Sequence, residues 1–468
     1  MFGRFHTRSS ATPLRARLDL EAMDRRDVPS ASPADGGFAP TSSAPAVVYV
    51  ESNNPAAGQN AVLAYLRTSD GQEHQIGSFA TGGTGQLNVP KIVGPDDGDQ
   101  QVRVTADGRF LFAVNEGSGS ITAFRVRADG ALDRIGVFAS GGVEPDSIGV
   151  AGNYLYVANR GNAAAGVPGT VAPNVTAFDI NRDGTLTAIP GATQTFPVGT
   201  FVTQTLVSPD NRFLFVEAAT LQGTPGGNTV TTFRIDTDGT LTPAPGGPAG
   251  AGANAPILLG AAVNPTQNII YAGFTSASQV GVFTYDATGR TTFVGQVSDQ
   301  GAAPCWCVVS SDGRVLYVSN TVTDSIGVYS LADPLHPVQI ENFQLGGPRA
   351  LNGTATSPKT NSFEIALDPT GRYLYAVTQS TDPSFPQGNQ LHTLQIARDG
   401  TLTEPNAPVI FPQGLVPADA HPQGLAVVQL RDHHHGHDHD HDHGHDRDRF
   451  DEFAFGVDLG DGSGRRHG

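Results

Sequence analysis

The sequence predicts an all-β fold, a seven-bladed β-propeller of four-stranded antiparallel blades. One pattern occurs seven times: an apolar stretch with a central aromatic residue, then a turn and an alternating stretch. All-β repeats that are each long enough for four strands and their loops indicate a propeller. The composition agrees, because 57 glycines, 33 prolines and only 16% charged residues suit many short strands and turns. The aromatic residues that mark the repeats are Tyr49, Phe112, Tyr156, Phe215, Tyr271, Tyr317 and Tyr375.

Residues 1–44 precede the first repeat and are expected to form a basic leader and a Pro/Ser/Gly-rich linker. They lack the apolar stretch of an ordinary secretory signal. LDLEAMDRRDVPS resembles a short leader that precedes many large exported or surface proteins of certain bacteria. The resemblance implies an exported, periplasmic or cell-surface protein, and the alternative is a disordered tail on a cytoplasmic protein.

The stretch 107–138 shows how one blade is encoded. FLFAVN is apolar throughout, as a buried strand is, and SITAFRV alternates with period two. Asp129-Gly130 supplies a tight hairpin turn, which needs residues that tolerate positive φ. The same dipeptide recurs at 183–184, 238–239 and 399–400.

The propeller is predicted to span residues 45–431 and to be closed by its own two ends. The first block supplies only three strands, whereas the last block leaves GLAVVQL at 424–430 without a partner. Ring closure removes an open sheet edge. The stretch 421–430 is therefore predicted to be the innermost strand of the blade that begins at Val47.

The lengths of the turns distinguish the two rims of the ring. The turns between first and second strands are short, and the Asp-Gly turns lie on the same rim. A binding or active site is predicted at the other rim, because function concentrates on loops held by a rigid scaffold. The long links of that rim are 80–99, 160–172, 190–202, 219–227, 243–257, 344–361 and 379–388.

Polar residues at the strand ends on this rim are the candidate site. A carboxylate, a guanidinium and an imidazole there suit hydrolysis of a small acidic lactone, in which a base activates water and arginine holds an anion. The alternative is that these side chains line the channel or cap turns. Glu116, Arg160 and His421 are the predicted catalytic residues, and Asn115, Asn159, Gln101, Asp146, Gln204, Glu364 and Gln423 are the predicted substrate-binding residues.

Two stretches resemble the seven-bladed β-propeller lactonases, the family of 6-phosphogluconolactonase and the muconate-cyclising enzymes. FLFAVNEGSGSITAF is similar to a family pattern whose Asn-Glu pair falls on Asn115 and Glu116. YLYVANRGN is similar to a pattern whose arginine falls on Arg160. The resemblance implies a lactonase with Glu116 and Arg160 in its site.

Other positions depart from the family pattern. A Pro-Arg-His triplet often precedes the Asn-Glu motif, and its last two positions fall on Gln100 and Gln101. Two glutamines cannot bind an anion by charge or transfer a proton near neutral pH. The closing strand has His421-Pro422-Gln423-Gly424 where Pro-Arg-Gly is common.

Two functions of different classes follow from these observations. The first is hydrolysis of a small acidic lactone, derived from a sugar or a dicarboxylate, at the channel mouth. The second is an exported, non-catalytic propeller that binds a ligand or a surface partner through its long loops. A monomer that requires no cofactor is expected in either case.

The net charge narrows the possible partners of the protein, and the cysteine spacing predicts the state of its thiols. The net charge of −17 argues against nucleic acid, which needs a basic surface. No apolar stretch approaches the roughly 20 residues of a membrane-spanning helix. Cys305 and Cys307 are two residues apart on one strand, which is too far for an unstrained disulfide, and packed thiols are predicted.

Residues 432–468 form a tail rich in histidine and aspartate that cannot build a core. Imidazole nitrogens bind Zn²⁺, Ni²⁺ or Cu²⁺ well, so the tail is a predicted metal-binding segment with no catalytic role. The alternative is a solvated acidic tail. The predicted ligands are His433, His434, His435, His437, His439, His441, His443 and His445.

Overall fold

The computed structural model describes residues 44–87, 98–162, 169–221, 225–252, 255–346 and 360–430. Three single-turn 3₁₀ helices lie within them, at Glu116–Ser118, Thr275–Ala277 and Pro386–Gly388. The strands are β1 (Ala46–Glu51), β2 (Ala61–Arg67), β3 (Glu73–Ala80), β4 (Val102–Val104), β5 (Phe110–Asn115), β6 (Ser120–Val126), β7 (Leu132–Ala139), β8 (Pro145–Ala151), β9 (Tyr154–Asn159), β10 (Asn174–Ile180), β11 (Leu186–Ala188), β12 (Gln194–Thr195), β13 (Phe201–Val207), β14 (Phe213–Ala219), β15 (Thr229–Ile235), β16 (Leu241–Pro243), β17 (Leu258–Val263), β18 (Ile269–Phe274), β19 (Gln279–Tyr285), β20 (Thr291–Ser298), β21 (Pro304–Val309), β22 (Val315–Asn320), β23 (Ser325–Ser330), β24 (Val338–Gln344), β25 (Thr360–Leu367), β26 (Tyr373–Ser380), β27 (Gln390–Ile396), β28 (Leu402–Thr403), β29 (Val409–Ile410) and β30 (Gln423–Gln429).

These strands form seven antiparallel sheets, which confirms the predicted seven-bladed propeller. Blades 2 to 7 take their strands in chain order, beginning at β4, β8, β13, β17, β21 and β25. Blade 1 has the order β30, β1, β2 and β3 from the channel outwards. In blades 3 and 7 the short strands β12 and β29 extend the outer edge by pairing with β10 and β27.

The ring is closed as predicted, by pairing of the two ends of the propeller. β30 runs antiparallel to β1, with Val427 opposite Val48 and Ala426 opposite Tyr49. The register shifts at the long-loop end, where Glu51 lies opposite Gln423. This closure places Gln423 at the channel beside blade 2, which follows blade 1 in the chain.

Marker tyrosines and Asp-Gly turns form a hydrogen bond that recurs between neighbouring blades. The hydroxyl of Tyr49 in blade 1 donates to the carbonyl of Gly130 in blade 2 at 2.7 Å. Each contact ties the second strand of one blade to the outer hairpin of the next. The equivalent pairs are Tyr156 with Gly239 and Tyr317 with Gly400, both at 3.0 Å.

The hydrophobic core is divided into layers between adjacent blades. Phe112 and Val114 of β5 pack in one cluster with Leu155 and Val157 of β9, and all four are fully buried. A second strand is covered on both faces by neighbouring sheets, so it needs apolar residues at consecutive positions. This accounts for the unbroken apolar sequence of FLFAVN.

A buried ion pair joins blades 7 and 1 on the short-turn rim. Arg67, the last residue of β2, places Nη2 3.2 Å from Oδ2 of Asp368, and both side chains are fully buried. Its Nε donates to the Tyr375 hydroxyl at 2.8 Å, and its guanidinium lies over the Tyr373 ring. We call Arg67, Asp368 and Tyr375 the seam cluster, since they tie the last blade to the first.

The cysteine prediction is confirmed. Cys305 and Cys307 on β21 are both buried, and neither forms a disulfide. Burial raises the pKa of the Cys307 thiol well above its ordinary value.

None of the helices in the described part of the chain is long and apolar enough to span a membrane.

Candidate functional site

The candidate site lies on the long-loop rim, where the second strands end and the innermost strands begin. We call this opening the mouth. Asn115 ends β5, and Glu116 enters a one-turn 3₁₀ helix that Gly119 closes in the left-handed conformation. The turn holds Glu116 in a buried position, with only 2% of its surface exposed.

The first polar group joins blades 1 and 2. Gln423 Nε2 donates to Glu116 Oε1 at 2.9 Å. Glu51 accepts a short hydrogen bond from the Asn60 amide, which also donates to Asn115 Oδ1 at 3.0 Å. Gln423 also bonds to Glu51, so two carboxyl groups and three amides form one buried network between blades 1 and 2.

Burial controls the charge of this group. It raises the pKa of Glu51 to about 8, although hydrogen bonds from Asn60 and Gln423 work in the opposite direction. Glu51 is therefore protonated at neutral pH, and its neutral carboxyl group can donate as well as accept a hydrogen bond. His421 lies two residues before Gln423 at the start of the closing strand and is also buried.

The second group lies on blade 3 and contains the predicted arginine. Arg160 Nη1 is 3.2 Å from Glu144 Oε2, and Arg160 Nε is 3.9 Å from Asp146 Oδ2. The guanidinium is 5.4 Å from the centre of the Phe201 ring. Burial raises the pKa of Asp146 well above its ordinary value, and the nearby Arg160 charge lowers it. The arginine is thus held by two carboxyl groups of its own blade.

Asn115 and Asn159 were predicted to bind substrate, and the structure places both amides inside blades. Asn159 Nδ2 donates to Asn174 Oδ1 at 2.9 Å and to Thr176 Oγ1 at 3.3 Å. Asn115 Nδ2 donates to Thr122 Oγ1 at 2.9 Å. These bonds tie the second strand to the third, so both side chains have structural partners at the edge of the mouth.

The third polar group joins blade 4 to the chain segment that precedes the first strand of blade 2. Gln204 Nε2 donates to Asp99 Oδ2 at 2.7 Å, while Gln204 Oε1 accepts from the Ala261 backbone at 2.7 Å. Glu217 Oε1 accepts from Thr203 Oγ1 at 2.8 Å and from the Gly260 backbone at 3.1 Å. Burial raises the pKa of Glu217 to about 8.

Residues 98–101 cross the channel, a feature that the sequence analysis missed. Trp306 Nε1 of blade 6 donates to Gly98 O at 2.9 Å, and Gln101 Nε2 donates to the same carbonyl at 2.9 Å. The Asp99 N–H donates to Thr203 O of blade 4 at 3.0 Å. We call residues 98–101 the channel segment. Its sequence signal was weak: a polar Gly-Asp-Gln-Gln stretch ahead of a short strand, and a lone tryptophan far along the chain.

The channel segment also reaches blades 3 and 7. Ile148 N donates to Gln100 O at 3.1 Å, and Gln100 N donates to Glu364 Oε1 at 2.6 Å. Gln100 has a φ of 71°, in the left-handed region that non-glycine residues seldom adopt. The position is strained, and the contacts on both sides of the channel hold it in place.

Asp99 and Glu364 share a hydrogen bond between their carboxyl groups. Two carboxylates repel, so this bond requires that one of them carry a proton. Burial raises the pKa of both, and the charge of Asp99 raises that of Glu364 further. The pair therefore holds one proton, and the Arg103 side chain is close enough to act on both carboxyl groups by its charge.

Among the described residues at the mouth, carboxyl groups therefore outnumber cationic side chains. Arg160 pairs with Glu144 and Asp146, and Arg103 acts by its charge on Asp99 and Glu364. The remaining carboxyl groups belong to Glu51, Glu116 and Glu217. Among the described residues, no set of histidine, cysteine, aspartate and glutamate side chains has the geometry of a metal site. The predicted tail ligands from His433 to His445 lie outside the described residues, and their metal binding stays a prediction.

Comparison with known proteins links this geometry to one family. A profile described as "Lactonase, 7-bladed beta-propeller" matches residues 74–167 and 250–415, together more than half of the chain. Among curated protein sequences, none matches significantly.

Solved structures show the same fold at low sequence identity. A periplasmic gluconolactonase from Pseudomonas aeruginosa is 18% identical, with a TM-score of 0.60 over 83% of this chain and 100% of that one. A candidate 6-phosphogluconolactonase from Bacteroides fragilis is 17% identical, with a TM-score of 0.58 over 83% of this chain and 99% of that one. A Lactobacillus plantarum protein is 16% identical, with a TM-score of 0.59 over 82% and 100%.

Proposed function

We propose, since this chain belongs to the seven-bladed β-propeller lactonase family, that it hydrolyses a small lactone at the mouth. The observation that carries the proposal is the position of Glu116. The carboxyl group is buried at the mouth, and Gln423 of the closing strand binds one of its oxygens. A positioned carboxylate of this kind can act as a general base.

The reaction opens the ring in two bond changes. A water oxygen bonds to the lactone carbonyl carbon while Glu116 or His421 accepts the water proton. The bond between that carbon and the ring oxygen then breaks, and a proton passes to the departing alkoxide to give a hydroxy acid. Neutral carboxyl groups such as Glu51 can provide that proton, because burial keeps them protonated near neutral pH.

The charges at the mouth favour a neutral sugar lactone over a phosphorylated or dicarboxylate one. Arg160 is already paired with Glu144, so an anion would have to displace that carboxylate. The buried Gln101 Oε1 and Glu217 Oε2 accept no hydrogen bond from any described residue. Acceptors of this kind suit the hydroxyl groups of a sugar.

An assay of the full chain on neutral, phosphorylated and dicarboxylate lactones tests the proposal. We expect kcat/KM on the neutral sugar lactone to exceed that on the phosphorylated one by about tenfold or more, because an anionic group would have to displace Glu144 from Arg160. Glu116→Gln should lower kcat by about 100-fold or more, as loss of a general base does. Arg160→Ala should lower kcat/KM, and Asp107→Asn, on the opposite rim, should change neither.

Equal background rates in the wild type, Glu116→Gln and Arg160→Ala would overturn the enzymatic proposal. They would leave the second function, a non-catalytic propeller that binds a ligand or partner with its long loops. One observation favours that function. The channel segment, which carries Gln100 and Gln101 where the family often has arginine and histidine, crosses the mouth. Export is a further part of the proposal, supported by the leader-like stretch and by the location in the Pseudomonas protein's name.

A further inference from the structure

The channel segment is anchored to four innermost strands besides its own. Gly98 binds β21, Asp99 binds β13, and Gln100 binds both β8 and β25 through its backbone. These strands belong to blades 6, 4, 3 and 7, which lie on different sides of the ring. A stretch of four residues can reach all of them only by lying across the channel.

The contact with blade 7 differs from the others because it joins two acids. Blades 3, 4 and 6 hold the segment with neutral donors and acceptors, namely backbone groups, the Gln204 amide and the Trp306 indole. At blade 7 the Asp99 carboxyl group meets that of Glu364, and Glu364 Oε1 also accepts from Gln100 N at 2.6 Å. This contact alone requires a proton.

We propose that residues 98–101 are a proton-gated plug of the central channel, held closed by one proton shared between Asp99 and Glu364. Loss of the proton places two negative charges in direct contact in a buried site, where water screens them poorly. The repulsion between the two carboxylates moves Asp99 out of this contact, and the rest of residues 98–101 moves with it. The plug does not depend on the proposed lactonase activity.

Other charged groups around the pair set the pH at which the plug opens. Asp99 faces Arg103 on β4, Glu217 on β14 and Cys307 on β21, while Glu364 also faces Glu51 on β1. Arg103 favours loss of the proton, and the neighbouring acids oppose it. Burial and mutual repulsion raise the pKa of Glu364, so the opening lies above the pH at which an ordinary glutamic acid ionises.

Trp306 is the only tryptophan and bonds directly to the plug, so its fluorescence reports on the closed state. Acrylamide quenching of Trp306 in the full chain should be weak at pH 5. It should increase through a single-proton transition, spread over roughly two pH units, before pH 9. Asp99→Asn and Glu364→Gln should each abolish the transition and keep the quenching weak, because an amide preserves the hydrogen bond and removes one of the two charges.

Two control variants separate this transition from other titrations. Asp107→Asn, on the opposite rim, should keep the wild-type transition. Cys307→Ala, which removes the neighbouring thiol, should keep a single-proton transition. Far-UV circular dichroism at each pH verifies that the propeller stays folded. A wild-type protein whose quenching is constant from pH 5 to 9 overturns the plug. So does a transition that persists in both Asp99→Asn and Glu364→Gln.

Discussion

The Asp-Gly turns show how one residue connects local conformation with contacts between blades. Gly130 has a φ of 82°, and a Cβ placed on it would lie 2.5 Å from Val47 Cγ2 of the preceding blade. Its carbonyl accepts the Tyr49 hydroxyl. Glycine is therefore required at this position for two reasons, namely the left-handed conformation of the turn and the close approach of the neighbouring blade.

Gly130→Ala should reduce the free energy of unfolding by about 3 kcal/mol, the sum of left-handed strain and overpacking against Val47. Gly371→Ala is the matched control, because Gly371 has a similar φ of 69° with nothing within 4 Å of its Cβ position. It should lose only about 1 kcal/mol. Urea unfolding measures both, and equal losses would contradict a role for contact between blades.

At the scale of elements, the strands repeat the same pairing while the polar groups at their ends differ between blades. In blade 3 an asparagine at the end of the second strand binds a threonine of the third. In blade 7 the corresponding position carries Thr378, which lies 3.4 Å from His392 Nε2, and His392 Nδ1 is 2.7 Å from Glu404 Oε1. Thr378 occupies the position of that asparagine and, like it, contacts the third strand. We therefore infer a structural role for the buried arrangement of Thr378, His392 and Glu404.

The seam cluster is the element-scale contact that ring closure creates. Asp368→Asn keeps the shape of the side chain and leaves the buried Arg67 without its charge partner. We expect a loss of about 3 kcal/mol, since removal of one partner of a buried pair leaves an uncompensated charge. Thermal or urea unfolding measures the change.

Asp312→Asn provides the comparison for the seam variant. Asp312 pairs with Arg314 at 3.9 Å on the surface, where both side chains are mostly exposed. Its loss should cost less than about 0.5 kcal/mol. A seam variant as stable as this control would show that the pairing of β30 with β1 closes the ring without help from Arg67.

At the scale of the whole molecule, buried acids at the mouth and exposed aspartates at the turns affect stability in opposite pH ranges. Burial raises the pKa values of Glu51 and Glu217 to about 8. Their contribution to stability is complete below the ordinary glutamic acid pKa and is lost as the pH rises towards 8. Hydrogen bonds from the turns lower the pKa values of Asp183 and Asp399, whose contribution is lost as the pH falls.

Stability should therefore be greatest at acidic pH, about 4 to 5, and should fall as the pH rises to 8. Urea unfolding midpoints measured at one-unit intervals test this expectation. Glu217→Gln should flatten the fall by roughly 1.4 kcal/mol per pH unit at most, because it removes one titrating group. A stability that increases steadily from pH 5 to 8 would show that these acids are ionised in the folded protein.

The sequence alone determined the number of blades, the closing strand and the rim that bears the long links. Those features follow from signals that recur locally in each repeat, namely the apolar second strand, the marker aromatic and the Asp-Gly turn. The unpaired stretch at 424–430 was enough to predict the closure, because an open sheet edge is unfavourable.

Tertiary structure alone decided which polar side chains meet. Asp99 and Glu364 are separated by most of the propeller in sequence, and only ring closure and the path of the channel segment bring them together. The same holds for Arg160, whose pairing with Glu144 could not be derived from an Asn-Arg-Gly motif. Repetition specifies the scaffold, whereas the site depends on links that differ from blade to blade and carry no repeated pattern.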